Sequence, residues 1–211
     1  CGLDNGLKFT NLLKAMLMNK NINENITYKE LYEITNKVFT VSVVNITKGI
    51  TEYHNYQTVP NLSVVMSVRM SSNIPLLFSP IFYNGSYYID GALLEPFPYF
   101  YHKNTKKIGF CLFDKYEFDF IKENNENVNF VSDISNSLSY TFELLRILHI
   151  NYIKNLYKKI PKNVVYINFK LKHIQATDFH LSYEEKKKIY DYGMNKCDIF
   201  LKKKYKKYRE R

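Results

Sequence analysis

Residues 87–98, YYIDGALLEPFP, constrain this chain more than any other stretch. Tyr87, Tyr88 and Ile89 are β-favouring residues that suit a pleated, half-buried strand. Asp90-Gly91 follows at once, and both residues tolerate the backbone angles of a tight turn. An apolar run then resumes, with a proline on each side of Phe97. A strand that stops here presents Asp90 at its tip. By itself Asp90-Gly91 is a turn dipeptide and Ala92 a helix former, and neither calls for a substrate.

The surroundings add to that reading. Residues 70–80, MSSNIPLLFSP, are small and apolar, and Asn84-Gly85 marks a hairpin between them and the strand. Taken in order, Ser71, Ser72, Ile74, Pro75, Phe78 and Pro80, then Asp90, Gly91 and Ala92, with Pro98 closing the segment, resemble the C-terminal half of the patatin-like phospholipase family. Gly2-Leu3-Asp4-Asn5-Gly6 ahead of a helical run is similar to that family's link between the nucleophile's helix and the next helix. Residues 40–49 are similar to its central strand and the turn after it.

The resemblance implies a three-layer α/β/α patatin-like domain, N-terminally truncated. Residues 1–105 are its C-terminal part, and residues 106–211 are an α/β extension that completes the same domain and ends in a basic tail. It further implies a serine acyl hydrolase that uses a Ser-Asp dyad, with Asp90 as the base, Gly91 and Ala92 completing the motif, and no histidine, cofactor or metal. An acyl lipid or phospholipid is the implied substrate, and the cytoplasm, with peripheral contact to a membrane, the implied location. The family's G-x-S-x-G elbow and glycine-rich oxyanion loop both precede the point where this chain begins, and neither pattern occurs in residues 1–211. Cys1 is not an initiator methionine, so the expectation is a fragment that is inactive as it stands. A non-catalytic lipid- or membrane-binding relative is the alternative.

Composition narrows the remaining classes. At 211 residues and 45% hydrophobic, the chain can bury a core and falls among globular proteins. Its formal net charge of +10 favours anionic surfaces. Residues 202–211, KKKYKKYRER, concentrate that charge at the C-terminus. Peripheral contact with an anionic membrane through this lysine-rich end is therefore expected. A nucleic-acid partner is not, because no recognisable module accompanies the charge. Cys1, Cys111 and Cys197 are too far apart for a disulfide framework or a metal site. His173 and His180 match no compact zinc spacing. No apolar run approaches the eighteen or so residues needed to cross a bilayer.

The rest of the chain reads as alternating elements. Leu7, Leu12, Leu13, Met16 and Leu17 recur at helical spacing and predict an amphipathic helix over 7–18 that packs on the core. Thr27 and Glu30 have capping-box spacing for a helix over 27–36. Residues 39–46 predict a strand covered on both faces, residues 52–59 a second strand, and residues 62–70 a buried helix. Within that helix Arg69 has two readings, an ion-pairing residue at the edge of the core or a contact for lipid phosphate. Further on, residues 108–113 and 164–169 predict strands. Residues 135–159 predict a long helix with a stripe through Leu138, Phe142, Leu145, Leu148, Tyr152 and Leu156. His149 beside that stripe is a packed or exposed histidine, and Ser182 with Glu185 caps a final helix.

Overall fold

In a computed structural model of the protein, the described residues are 2–99, 101, 108–114, 134–159, 165–171 and 180–209. The chain divides into two compact units, Cys1–Pro98 and Tyr99–Arg211.

The first unit contains helices α1 (Leu7–Met18), α2 (Tyr28–Thr35) and α3 (Val64–Ser71). Its strands are β1 (Val41–Asn45), β2 (Ile50–His54), β3 (Ile81–Tyr83) and β4 (Ser86–Asp90). They form one antiparallel sheet in the order β2-β1-β4-β3. As the run of β-branched residues predicts, β1 is interior and covered on both faces: Val43 is 0% exposed and its neighbour Val44 is 4% exposed. Tyr28, Val41, Val43, Val64, Met70 and Tyr88 join α2 and α3 to one face of the sheet. Asn84 and Gly85 both take positive φ and make the two-residue turn from β3 to β4. The capping box of α2 is formed as predicted, with Thr27 and Glu30 exchanging hydrogen bonds.

Two expectations need correction in this unit. The strand predicted over 52–59 is β2, which stops at His54. Asn55 turns the chain there, its Oδ1 accepting the N–H groups of Gln57 at 2.8 Å and Thr58 at 3.2 Å. Such Asx turns compete directly with a strand ladder. Helix α1 forms over its predicted range and packs on the core through Leu17, but none of its residues is fully buried, and Leu7, Leu12 and Met16 of the predicted face stay more than half exposed. Leu13, Met16 and Leu17 instead wall one side of an apolar groove of about 270 Å³, with Leu31, Phe39 and three valines of α3 on the other sides.

In the second unit β5 (Ile108–Asp114) runs parallel to β6 (Val165–Leu171), with Ile108 opposite Val165. Parallel neighbours need a long crossover, and α4 (Ser137–Lys159) lies between them in the chain. Helix α5 (Tyr183–Arg209) begins at the predicted Ser182–Glu185 capping box and carries the basic run as helix through Arg209. The buried side of α4 is Ile150, Ile153 and Leu156, while Leu148 and Tyr152 are exposed, so the predicted stripe is turned about the helix axis. Residues 116–129 and His173 lie outside the described residues.

Candidate functional site

Asp90 is the last residue of β4, opposite Val43 of β1. Directly paired residues point to the same face of a sheet, so the carboxylate leaves the sheet on the side that carries the core. The strand does not end in a turn. Asp90 is instead the N-cap of a short 3₁₀ helix, Gly91–Leu93, and accepts the Ala92 N–H at 2.8 Å. Its other oxygen has no hydrogen-bond partner among the described residues. Burial pushes the Asp90 carboxyl above its ordinary value, and the Ala92 N–H opposes that shift only in part.

Gly91 is needed for a reason other than turn angles. Its φ is not positive. A Cβ built there would lie 2.4 Å from the Ser42 carbonyl oxygen and 2.6 Å from Ser42 Oγ. The absence of a side chain is what lets the 3₁₀ turn lie against β1 and place Ala92 N–H beneath Asp90.

Arg69 answers neither sequence reading in the form expected. It is only 3% exposed, so it belongs to the core rather than its edge. Among the described residues it ion-pairs with no carboxylate. Its Nη2 donates to Asn5 O at 3.1 Å, its Nη1 donates to Asn73 Oδ1 at 3.3 Å, and its guanidinium stacks 4.4 Å from the Phe78 ring centroid. Burial lowers its pKa, partly offset by the charge of Asp4. Gly6, at φ +71, gives the guanidinium its room, since a Cβ there would fall 1.9 Å from Nη2.

A second polar chain was not foreseen from the sequence. Tyr28 Oη donates to Ser67 Oγ at 2.8 Å, and Ser67 Oγ lies 3.0 Å from His54 Nδ1. On the other side of the ring, His54 Nε2 lies 3.6 Å from Glu52 Oε2. Glu52 is also bonded by Asn45 Nδ2 at 2.9 Å and Tyr88 Oη at 3.2 Å. The order Ser-His-Glu is that of a hydrolytic triad, but Ser67 is 0% exposed and His54 2% exposed, so no substrate reaches the hydroxyl. The chain joins α2, α3, β2 and β4 through bonds that satisfy buried polar groups. Burial pushes the Tyr28 hydroxyl to about 12 and lowers His54 below 6.5 despite Glu52.

Among the described residues no three His, Cys, Asp or Glu side chains converge to hold a metal ion, and no helix is long and apolar enough to cross a membrane.

Residues 2–101 match the family model of patatin-like phospholipases. The fold is mixed α/β, consistent with that of the matched family. The chain is similar to a protein of Invertebrate iridescent virus 6 named "Probable lipid hydrolase 463L", 38% identical over 101 residues, which are 45% of this chain and 35% of that protein. Its fold is similar to that of VipD from Legionella pneumophila, with a TM-score of 0.52 at 18% identity over 86% of this chain and 36% of that one. The chain thus spans about a third of the length of either.

Proposed function

We propose that the intact protein is a lipid acyl hydrolase in which Asp90 is the base for a serine hydroxyl supplied by a G-x-S-x-G elbow preceding residue 1. One observation carries the proposal: at a strand end, Ala92 N–H holds one Asp90 oxygen and leaves the other open to a further hydrogen bond, with no partner among the described residues. As the serine Oγ attacks the ester carbonyl, its proton passes to that open oxygen. A tetrahedral oxyanion forms and then collapses, expelling the alcohol, which takes the proton back from Asp90. Water then cleaves the acyl-serine by the same route. Burial makes the carboxylate a stronger base than an exposed one, which favours the first transfer. The mechanism requires no cofactor.

An acyl lipid or phospholipid is the substrate class, supported by the matched family's description and by the viral relative's name. In this proposal residues 106–211 complete the domain begun by residues 1–105. The lysines at the end of α5 supply peripheral attraction to anionic membrane, at about 1 kcal/mol for each lysine near the surface, and the protein works in the cytoplasm or on a membrane facing it. The test is Asp90→Asn in the intact protein. Fatty-acid release should disappear while the circular dichroism spectrum stays that of the parent, and a folded variant that still releases fatty acid refutes the assignment of the base.

A further inference from the structure

Asn73, just beyond α3, is 0% exposed and surrounds the backbone that carries Asp90. Its carbonyl accepts the Asp90 N–H at 3.1 Å. Its Nδ2 donates to Tyr88 O at 3.2 Å and to Ser79 O at 3.0 Å. The register of β3 on β4 sets Ile81 opposite Tyr88, and two residues further it would set Ser79 opposite Asp90. That pair does not form. The Ser79 N–H, which would bond β4 in that pair, donates to Asp4 O at 3.1 Å instead. Asn73 fills the gap, taking the Asp90 amide on its own carbonyl and giving its side-chain amide to the two flanking carbonyls.

We propose that Asn73 is a positioning residue for Asp90. It closes the open end of the ladder on which the carboxylate is mounted, and Arg69 holds it in the orientation that makes this work. Arginine carries donors only, so the atom facing Arg69 Nη1 has to be the amide oxygen, which turns Nδ2 toward Tyr88 and Ser79. The guanidinium is itself fixed by Asn5 O and the face of Phe78. Without the side-chain bonds of Asn73 to Tyr88 and Ser79, the residue 73 carbonyl that takes the Asp90 N–H is no longer fixed against β4, and the carboxylate is held firmly only from β1 and by its own cap. A displacement of about 1 Å in a reacting group costs about a hundredfold in rate, so the bracket determines how well Asp90 meets a hydroxyl. The inference rests on the reading of Asp90 as base.

The test uses the full chain and two NMR readouts, amide hydrogen exchange at Asp90 relative to Ile89 and the pH titration of the Asp90 carboxyl carbon. Ile89 serves as the internal standard because it pairs with Val44 of β1, away from Asn73. In Asn73→Ala the Asp90 amide should exchange about tenfold faster relative to Ile89, and the carboxyl should titrate nearer its ordinary value as water reaches it. Ser67→Ala, another buried loss from the α3 segment, should lower stability and leave both readouts unchanged. If Asn73→Ala does not fold, Arg69→Lys carries the test, with shifts in the same direction. Wild-type exchange and titration in a folded Asn73→Ala or Arg69→Lys overturn the role of Asn73. Loss of fatty-acid release in Asp90→Asn alongside such a result removes only this role, whereas activity retained in Asp90→Asn removes the base itself.

Discussion

A side chain on residue 91 has nowhere to go: its Cβ would sit 2.4 Å from the Ser42 carbonyl oxygen. Gly91→Ala must push the 3₁₀ turn off β1, and overpacking of this kind costs about 1–3 kcal/mol. Urea unfolding should show a loss in that range, and an unchanged midpoint would mean the turn shifts freely. His54 supports a prediction of another kind. Its folded pKa is below 6.5, chiefly from burial, so between about 6.5 and the folded value the unfolded chain binds more protons. His54 therefore adds stability above about pH 6.5 that is lost as pH falls through the folded pKa. The Glu52 carboxyl is also held low, because the Asn45, Lys48 and Tyr88 bonds outweigh burial, and its stabilisation is lost below about 4.5. Melting temperature should fall first in the histidine window, and His54→Asn should reduce that slope, the remainder coming from His149, which burial also lowers; an equal slope in the variant contradicts it. Asp90 was legible in the sequence because its neighbours carry a motif. The Tyr28–Ser67–His54 chain was not, since its members are 39 and 13 residues apart in sequence and only the fold brings them together.

At the scale of elements, local chemistry was the readable part. Thr27 with Glu30 and Ser182 with Glu185 announce helix starts through contacts three residues apart, and both boxes form. Thr27→Ala should cost about 1 kcal/mol, read as a lower urea midpoint with unchanged slope, and no loss would mean the box adds nothing to α2. Sequence pattern and structure part where two local patterns compete. Residues 52–59 have strand-forming residues, but Asn55 captures two backbone N–H groups and ends β2. In α4, a stripe through Leu148 and Tyr152 and one through Ile150 and Ile153 both satisfy helical spacing. Periodicity does not rank them, and packing chose the β-branched pair. Helix α1 shows the same limit: its apolar spacing predicted the helix, while the extent of its burial depended on what lies against it.

For the whole molecule, the mixed α/β class and the patatin-like character of residues 2–101 were readable from a short ordered series of small residues, prolines and Asp-Gly-Ala. Those residues mark close approaches and strand ends, which admit few residue types, so they can be read from a single sequence where packing preferences cannot. Gly91 against Ser42 and Pro80 at the end of β3 are two of them. The network around Asn73 lies inside the same series, yet its purpose emerges only when the β3–β4 register is extended and found broken. The account comes down to whether Asp90 takes the proton of a serine. The direct measurement is the rate at which a fluorophosphonate labels that serine in the intact protein, followed across pH for wild type and Asp90→Asn. Wild type should label more slowly toward acid as Asp90 protonates, and the asparagine variant should be slower by about a hundredfold or more with no such dependence. Equal labelling rates and equal pH profiles in the two proteins would contradict the account.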